Sequence, residues 1–556
     1  MSNPNQLVYL PLGGAGEIGM NMYLYGFGPE KDRDWIVVDC GVSFGDMSSS
    51  PGIDLVMPDI EFIHEIAGRV KAIFITHAHE DHIGALGRLW PQMRAPIYAP
   101  AFTASIARRK MSECGYSDSV IHEAAWDTPI EAGPFAVSFM HVTHSIPDPA
   151  MLLIETAAGR IVHTGDFKLD PAPILGKATD MARLEKLGDE GVLALMCDST
   201  NIFDPGSAGG EQPLRAPLEK LIREAKGAVA ATTFASNVAR LKTLAESAQA
   251  AGRSVVVAGR AMSRMIQTAL ETGAIDSFPT LVNDDMAGSI PADNLFYLIT
   301  GSQGEGRAAL ARIANKTHPF ISMREGDLVL FSSKTIPGNE KEVYRLYNLL
   351  SEQGVNVVDS DMEHIHVSGH ACVEEIKTIH KALRPQTVVP LHGEHRHLLE
   401  HVRRATEWGA PNAVLAPNGT MVDLTTAYIA GHAETGRTYL DGETLVGAMD
   451  GVIRARLKMA RGGHVLVSVC IDEVGDLFAD PQVTCEGAPN DVGGDAPLDE
   501  LISLRLDAAI TSASKREKRN DDALEDLVRR VARKVCSETW GKKPVVTAHI
   551  TRLEAE

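Results

Sequence analysis

The chain has 556 residues, of which 44% are hydrophobic and 23% charged, and its formal net charge is −20. This length exceeds one ordinary hydrophobic core and predicts two or three domains. The acidic balance excludes a protein that coats nucleic acid with its whole surface, but it allows a nucleic-acid enzyme with one metal-bearing cleft. Apolar runs are too short for a membrane span, and no secretory signal is visible. Seven cysteines without a C-x-x-C pair predict reduced packing residues in a cytoplasmic protein without a membrane partner.

The first predicted elements form an antiparallel meander of strands at 7–12, 21–28 and 35–39. Gly14, Gly16 and Gly19, between the first two strands, match the spacing of a dinucleotide-binding loop. A helix must follow such glycines, whereas a β-patterned segment follows here. We therefore expect no nucleotide cofactor.

Residues 76–82 read Thr-His-Ala-His-Glu-Asp-His and follow a buried strand predicted at 72–76. Imidazole and carboxylate together suit zinc or a similar divalent ion. One catalytic zinc keeps a position open for water, so a loop this rich in ligands predicts two ions side by side. Glu80 is expected to face solvent. The ligand candidates of the loop are His77, His79, Asp81 and His82.

Polar residues that follow other predicted strands could complete two metal sites. His144 follows a strand predicted at 135–141, Asp166 follows one at 160–164, and His392 follows one at 388–391. Asp166 would bridge, because a carboxylate can hold two cations about 3.5–4 Å apart. The predicted groups are His77, His79 and His144 for one ion, and Asp81, His82 and His392 for the other.

From residue 213 the pattern alternates helix and strand, which predicts a parallel sheet flanked by helices. Residues 425–450 are rich in glycine and threonine and predict a connector. A small α/β module follows, with strands predicted at 465–471 and 545–550. The apolar stripe of its helix, predicted at 521–536, is expected to pack in a core.

This ordered set of motifs resembles the bacterial ribonuclease J family, which belongs to the β-CASP branch of the metallo-β-lactamase fold. Asp198 resembles motif A of that branch, His370 in the segment 366–370 motif B, and His392 motif C. The segments 12–19, 300–305 and 336–340 narrow the resemblance to ribonuclease J. The match runs from about residue 7 to 420, with a compatible C-terminal module beyond.

The resemblance implies an α/β fold: a metallo-β-lactamase αββα sandwich with an inserted β-CASP α/β domain and a small C-terminal α/β domain. The sandwich is expected to comprise residues 1–211 and 356–425, and the insertion residues 212–355. Residues 426–455 are expected to form a linker. The C-terminal domain, 456–556, is expected to mediate a homodimer or homotetramer.

The resemblance also implies a metal-dependent ribonuclease that degrades single-stranded RNA from a 5′-monophosphate end in the 5′-to-3′ direction. Some endonuclease activity, work in RNA maturation and decay, and association with an RNA-degradation complex are implied as well. Two divalent ions per subunit are expected, with zinc preferred over manganese or magnesium. Two alternatives stay open: an inactive RNA-binding scaffold subunit and a related DNA nuclease.

Asp81, Asp198 and His370 are the predicted catalytic residues. His370 would donate a proton to the leaving oxygen or contact the scissile phosphate, and Asp198 would hold its tautomer and raise its pKa. Asp39 is expected to support the metal ligands without coordinating. By resemblance, a pocket for the terminal phosphate is lined by Ser236, Asn237, His366, Val367, Ser368, Gly369 and His370.

Several of these assignments have ordinary structural alternatives. Ser236 and Asn237 are equally compatible with helix N-caps. Arg260 and Arg264 are candidate contacts for the RNA backbone. The glycine-rich segment 301–306 suits either a phosphate cradle or a simple turn, and the basic run 515–519 is expected to be solvated surface.

Overall fold

The computed structural model describes residues 5–66, 68–493 and 496–553. It divides into two compact units, one of residues 1–43 and 57–437 and one of residues 44–56 and 438–556. Within the described ranges, no helix is long and apolar enough to cross a bilayer. All seven cysteines lie in these ranges, and none is paired in a disulfide.

Two β-sheets that pack face to face form the centre of the first unit. Apolar and aromatic side chains from both sheets, among them Tyr25, Phe74, Phe135 and Phe139, form one buried core between them. In spatial order the first sheet contains Tyr428–His432, Thr420–Asp423, Leu7–Gly13, Met22–Phe27, Asp34–Val38, Val70–Phe74, Ile97–Ala99 and Ile121–Glu123. The second contains Ile130–Ala132, Phe135–His141, Ala150–Thr156, Gly159–His163, Ala194–Asp198, Thr387–Leu391 and Asn412–Ala413.

The N-terminal meander has the predicted antiparallel pairing, from Leu7–Gly13 through Met22–Phe27 to Asp34–Val38. A strand, Met22–Phe27, follows the glycine loop, as the β-pattern of the sequence predicts. The loop has a different use here. Its residues Ala15–Gly16 pair in parallel with Gly393–Glu394, directly after His392.

Helices cover the outer side of the second sheet. Leu184 and Leu187 of Met181–Glu190, and Ile376 and Ile379 of Val373–Leu383, pack in a second apolar layer against it. The Asp180 side chain caps the first of these helices by accepting a hydrogen bond from the Arg183 N–H. The other helices of the sandwich are Glu61–Glu65, Glu80–Ile83, Leu86–Met93, Ala101–Glu113 and His395–Glu407.

The inserted segment forms a six-stranded sheet whose pairs are all parallel, as the alternating pattern predicts. Helices Arg215–Glu224, Val238–Ala250 and Arg260–Glu271 share an apolar core on one face. Helices Ala309–Ala314 and Glu340–Ser351 share a core on the other face. The spatial order of strands is Leu281–Val282, Ser254–Ala258, Leu295–Ile299, Val229–Thr232, Leu328–Phe331 and Asn356–Val358.

In the second unit, strands Gln482–Glu486, His464–Ile471 and Val545–Arg552 form a sheet that packs against helices Leu498–Thr511 and Asp521–Thr539. The predicted apolar stripe of the last helix, which includes Leu524 and Val528, is buried in this core. The basic run 515–519 is largely exposed and starts with the short helix Lys515–Lys518.

The segment 426–455, which the sequence predicts as a linker, contains regular structure. It includes strands Tyr428–His432, Arg437–Asp441 and Thr444–Gly447 and the start of helix Val452–Gly462. The strands are four or five residues long and mostly exposed. Such strands lack the clear apolar alternation that identifies a strand from sequence. Arg437–Asp441 and Thr444–Gly447 form a four-stranded sheet with the strands Leu55–Pro58 and Ser43–Phe44.

A buried pair of charges fastens the inserted segment to the sandwich. Arg240, on helix Val238–Ala250, is fully buried, and its Nε and Nη2 donate to Glu211 Oε2 at 2.8 Å and Oε1 at 2.9 Å. The Glu211 N–H in turn donates to Asp170 Oδ2 of the sandwich at 3.2 Å. Burial opposes the charge on Glu211, but Arg240 outweighs it and lowers the pKa of Glu211 to about 2. This bidentate pair keeps both charges in place.

We predict that Glu211→Gln lowers the free energy of unfolding of the first unit by about 3–5 kcal/mol, because it leaves the Arg240 charge buried without its counter-ion. Urea unfolding followed by circular dichroism measures this loss. The control is Glu219→Gln, which removes the surface partner of Arg223 and should cost less than about 1 kcal/mol. Equal unfolding midpoints for Glu211→Gln and the unaltered chain would contradict the prediction.

Candidate metal centre

The histidine-rich loop lies at the end of strand Val70–Phe74 and leads into the short helix Glu80–Ile83. The Asn21 N–H donates to the Asp81 carbonyl at 2.9 Å, and the Gly41 N–H donates to the Asn21 carbonyl at 3.0 Å. A Cβ atom on Gly41 would lie 1.7 Å from the Asp81 carbonyl oxygen. Only glycine allows this close approach of two backbones, which holds the loop in place.

Three histidines converge with Asp166 in the first group of candidate ligands. His79 Nδ1 lies 3.1 Å from His77 Nε2 and 3.1 Å from His144 Nε2. Asp166 Oδ2 lies 3.7 Å from His77 Nε2 and 3.8 Å from His144 Nε2. Burial lowers the pKa of all three histidines, that of His79 to about 4. They are therefore uncharged at neutral pH, and their lone pairs are available to a cation.

The second group contains Asp81, His82 and His392 and shares Asp166 with the first. His82 Nε2 lies 3.1 Å from Asp166 Oδ2, and His392 Nε2 lies 3.6 Å from Asp81 Oδ2. His392 Nδ1 lies 2.9 Å from Asp166 Oδ1. Both atoms of this close contact are buried, yet neither has an aligned hydrogen-bond partner among the described residues. A divalent ion would satisfy such polar atoms, so the residues fit the predicted pair of metals.

Other residues fix the orientation of the ligand histidines. His82 Nδ1 lies 2.7 Å from Asp39 Oδ2, and His144 Nδ1 lies 2.6 Å from the Gly369 carbonyl oxygen. An Nδ1–H that donates to these oxygens leaves Nε2 of each ring free to coordinate. Asp39 has the left-handed backbone angle φ of 64°, a conformation that tightly packed surroundings must hold. It therefore lies where the sequence predicts a supporting residue.

Glu80 and Asn21 both lie near the ligand groups, but the sequence predicts the role of Glu80 alone. Glu80 is exposed, and its carboxylate accepts from Lys110 Nζ at 2.7 and 2.8 Å, so it lies outside the ligand groups as predicted. Asn21 was missed. Its Nδ2 lies 3.0 Å from His82 Nε2 and 3.2 Å from Asp81 Oδ2. The only sequence signal is a polar residue at the start of an otherwise apolar strand.

Asp198 and His370 form a pair beside the shared carboxylate. His370 Nδ1 lies 2.8 Å from Asp198 Oδ2 and 3.9 Å from Asp166 Oδ2. Burial opposes the charge on His370, but Asp198 and Asp166 outweigh it and raise its pKa to about 9. In the absence of bound ions, this pKa keeps two protons on the ring at neutral pH. One is donated to Asp198, and the proton on Nε2 can be given to another group.

Some residues of the predicted phosphate pocket lie directly beside the ligands. Ser236 Oγ lies 3.1 Å from His79 Nε2, on the side of that ring away from the first group. Ser368 Oγ accepts from Asn201 Nδ2 at 2.9 Å and from the His370 N–H at 3.1 Å. Gly369 contributes its carbonyl to His144. Ser236 and Gly369 thus contact histidines of the first metal group, and Ser368 contacts the backbone of His370.

The other pocket residues have different surroundings. The Asn237 side chain caps helix Val238–Ala250 and donates to Glu211 Oε1 at 3.3 Å, so the helix-cap interpretation holds for Asn237 but not for Ser236. Val367 packs in an apolar core of the inserted segment. His366 Nδ1 lies 3.3 Å from Arg240 Nη1, and burial with this cation lowers its pKa to about 3. It is therefore uncharged.

We predict that Asp166→Asn lowers the bound metal below two ions per chain, because both groups lose the charge that they share. Elemental analysis of the purified protein measures this loss. Glu80→Gln is the matched control, since it neutralises a carboxylate of the same loop that pairs with Lys110. An unchanged metal content in Asp166→Asn would refute the shared-ligand assignment.

Comparison with known proteins gives matches along the whole chain. Residues 16–226 match a family model described as "Metallo-beta-lactamase superfamily". Residues 226–350 match a family model described as "Ribonuclease J, beta-CASP domain". Residues 354–416 match "Zn-dependent metallo-hydrolase RNA specificity domain", and residues 451–553 match "Ribonuclease J C-terminal domain". A solved structure of a protein of unknown function from Enterococcus faecalis has a TM-score of 0.50 at 19% identity and covers 75% of this chain and 99% of its own. It supports the fold alone.

Several relatives are more similar in sequence to this chain than that solved structure is. Ribonuclease J of Sinorhizobium meliloti is 43% identical over 100% of this chain and 98% of its own length. Ribonuclease J of Corynebacterium glutamicum is 35% identical over 99% of this chain and 77% of its own. Ribonuclease J 1 of Streptococcus pyogenes is 37% identical over 87% of both.

These matches confirm the predicted fold class: a metallo-β-lactamase domain with a β-CASP insertion and a C-terminal domain. The fold, together with the clustered histidines and aspartates, indicates divalent-metal binding. The matched domains indicate a hydrolase that acts as a nuclease and binds RNA. The chain therefore belongs to the ribonuclease J family of metal-dependent nucleases.

Proposed function

We propose that this nuclease degrades single-stranded RNA from a 5′-monophosphate end in the 5′-to-3′ direction, with some internal cleavage, in RNA maturation and decay. The observation that carries the proposal is the position of two hydroxyl groups, one beside the metal-ligand candidate His79 and one beside His370. Ser236 Oγ contacts His79, and Ser368 Oγ contacts the backbone of His370. A terminal phosphate near the scissile bond needs such hydrogen-bond donors.

We assign the two metal groups to two ions that act on one phosphodiester. Zinc suits their imidazole-rich ligands best, with manganese or magnesium as alternatives. When bound, such ions activate a water as nucleophile and offset the charge that develops on the phosphate. Asp81 counts among the catalytic residues because it would hold one of these ions. The proposed ligands are His77, His79, His144, Asp81, His82 and His392, with Asp166 bridging.

His370 is the proposed proton donor to the leaving group. Hydrolysis joins a water oxygen to phosphorus and breaks the bond to the 3′-oxygen, so the remaining RNA keeps a 5′-phosphate. The expelled 3′-oxygen needs a proton, which His370 Nε2 can supply. Asp198 keeps Nδ1–H engaged at 2.8 Å and keeps the ring protonated at neutral pH.

The terminal phosphate would bind in the pocket of 236–237 and 366–370. Ser236, Ser368 and His366 provide hydroxyl and imidazole groups, and Gly369 links the pocket to His144. Asn237 would act through the helix that it caps, and Val367 through apolar packing. A complete ligand set and a paired general acid favour an enzyme over the inactive scaffold. The matched RNA specificity domain favours RNA over DNA.

The domain boundaries and assembly are proposed as follows. Residues 1–211 and 359–425 form the metallo-β-lactamase domain and 212–358 the β-CASP domain, since strand Asn356–Val358, beyond the boundary expected at 355, belongs to the inserted sheet. The C-terminal domain, 456–556, follows a connecting segment. Phe478 and Leu504 are 70% and 67% exposed in the second unit, and a partner copy could cover these apolar side chains. We propose a homodimer or homotetramer that meets an RNA-degradation complex.

One RNA, labelled at its 3′ end and bearing a 5′-monophosphate or a 5′-triphosphate, tests the exonuclease. We expect rapid shortening of the monophosphate form alone. Ser236→Ala should slow that shortening by about 10–100-fold, since a hydrogen bond to a charged group contributes about 1.5–3 kcal/mol. Internal cleavage should change little. Rates come from gel analysis of the labelled fragments.

Two variants serve as controls. His77→Ala should abolish cleavage of both RNAs, and Ser351→Ala, at an exposed helix end, should behave like the unaltered chain. Equal internal cutting of both RNAs would refute end recognition and keep the nuclease. Binding without any cleavage would favour the scaffold, and equal cleavage of DNA would favour a DNA nuclease.

Asp198→Asn tests the general acid. Asp198 raises the pKa of His370, so its removal lowers that pKa and makes the ring lose its proton at lower pH. We expect the alkaline limb of the pH–rate profile to move to lower pH and kcat to fall by about 100-fold or more. Single-turnover rates across pH measure both effects. An alkaline limb in the original position would exclude His370 as the proton donor.

A further inference from the structure

A third group of potential metal ligands shares no residue with the catalytic groups. Cys197 lies on strand Ala194–Asp198, His380 on helix Val373–Leu383 and His401 on helix His395–Glu407. Their ligand atoms lie within 4.8 Å of one another, and all three residues are buried. The group thus connects one sheet strand to two separate helices.

The geometry of the two rings matches that of the catalytic ligands. His380 Nε2 lies 3.0 Å from His401 Nε2, compared with 3.1 Å between neighbouring ring nitrogens of the first catalytic group. His401 Nδ1 lies 2.8 Å from Ser199 Oγ, which leaves Nε2 to face His380. A hydrogen bond between the rings would explain their spacing but not the sulfur within reach of both.

The surroundings suit a soft metal ion. Cys197 lies in an apolar layer with Leu195 and Ile376, and Trp408 packs edge-on against both rings, with centroids at 4.9 and 6.3 Å. Burial lowers the pKa of His380 to about 3 and that of His401 well below its ordinary value. Both rings are therefore uncharged and can offer lone pairs. Burial raises the pKa of the Cys197 thiol well above its ordinary value, so binding of the ion would have to displace the thiol proton.

We propose that Cys197, His380 and His401 bind a third metal ion of thiophilic character, such as Zn²⁺. One thiolate and two imidazoles are ligands that zinc and copper accept, whereas magnesium and calcium prefer oxygen. The site has a structural use. It joins the strand that ends at Asp198 to the helix after motif B and to the helix after His392, so it positions all three motifs.

Cobalt substitution in the full-length chain tests this site. A thiolate ligand gives Co²⁺ a charge-transfer absorption in the near ultraviolet, whereas the catalytic groups offer only nitrogen and oxygen. We expect the band in the unaltered chain and its loss in Cys197→Ser. Elemental analysis should fall from three ions per chain to two. Cys536→Ser, at a buried cysteine of the second unit, should keep both the band and three ions.

His380→Gln provides a second variant, since it keeps a polar side chain and the sulfur but removes the ligand nitrogen. We expect it to lose the third ion while the two catalytic ions stay. A cobalt-loaded chain with two ions and no thiolate band would overturn the third site and leave the catalytic assignment intact. A band that persists in Cys197→Ser would also overturn it, because the sulfur would then come from elsewhere.

Discussion

The buried carboxylate of Asp166 is the constraint on which the candidate metal centre depends. Its oxygens lie 2.9 Å from His392, 3.1 Å from His82 and 3.7 Å from His77. A carboxylate removed from water is costly unless cations or donors surround it. Burial alone would raise its pKa, but His392 and His82 lower it well below the ordinary value. The group therefore stays ionised, and both proposed ions are drawn to the same charge.

The metal centre takes contacts from the sandwich and from the inserted segment. The way in which the inserted segment is attached to the sandwich therefore affects the geometry of the centre. Ser236 of the inserted segment contacts His79, and the Gly369 carbonyl orients His144. The Glu211–Arg240 pair holds the helix that begins beside Ser236. Because a displacement of about 1 Å can cost a large factor in rate, this buried pair, which contacts His366 and Asn237 of the proposed pocket, would contribute to catalysis through position.

The sequence predicts regular elements and local motifs well. Phe135–His141, Ser254–Ala258 and Glu340–Ser351 have the predicted bounds, because their patterns are long and strongly periodic. The two groups of candidate metal ligands were predictable because several of their members share one loop and others follow strand ends. Asn21 and the third group escaped prediction. Asn21 contacts Asp81, which is 60 residues further along the chain. The members of the third group, Cys197, His380 and His401, are likewise far apart in sequence, so no local spacing identifies them. The sequence does not distinguish the two roles of Asn237, because capping a helix and binding a phosphate both require the same side-chain amide.

One strand end serves two sites, which follows from the geometry of a β-strand. Successive side chains point to opposite faces. Cys197 accordingly packs with Leu195 on the helix side, while Asp198 joins the catalytic groups. An ion at Cys197 would fix the backbone that carries Asp198 without touching the substrate. Loss of that ion would therefore loosen the Asp198–His370 pair first, whereas the ligands on the loop 76–82 are held by their own contacts to Asn21 and Gly41.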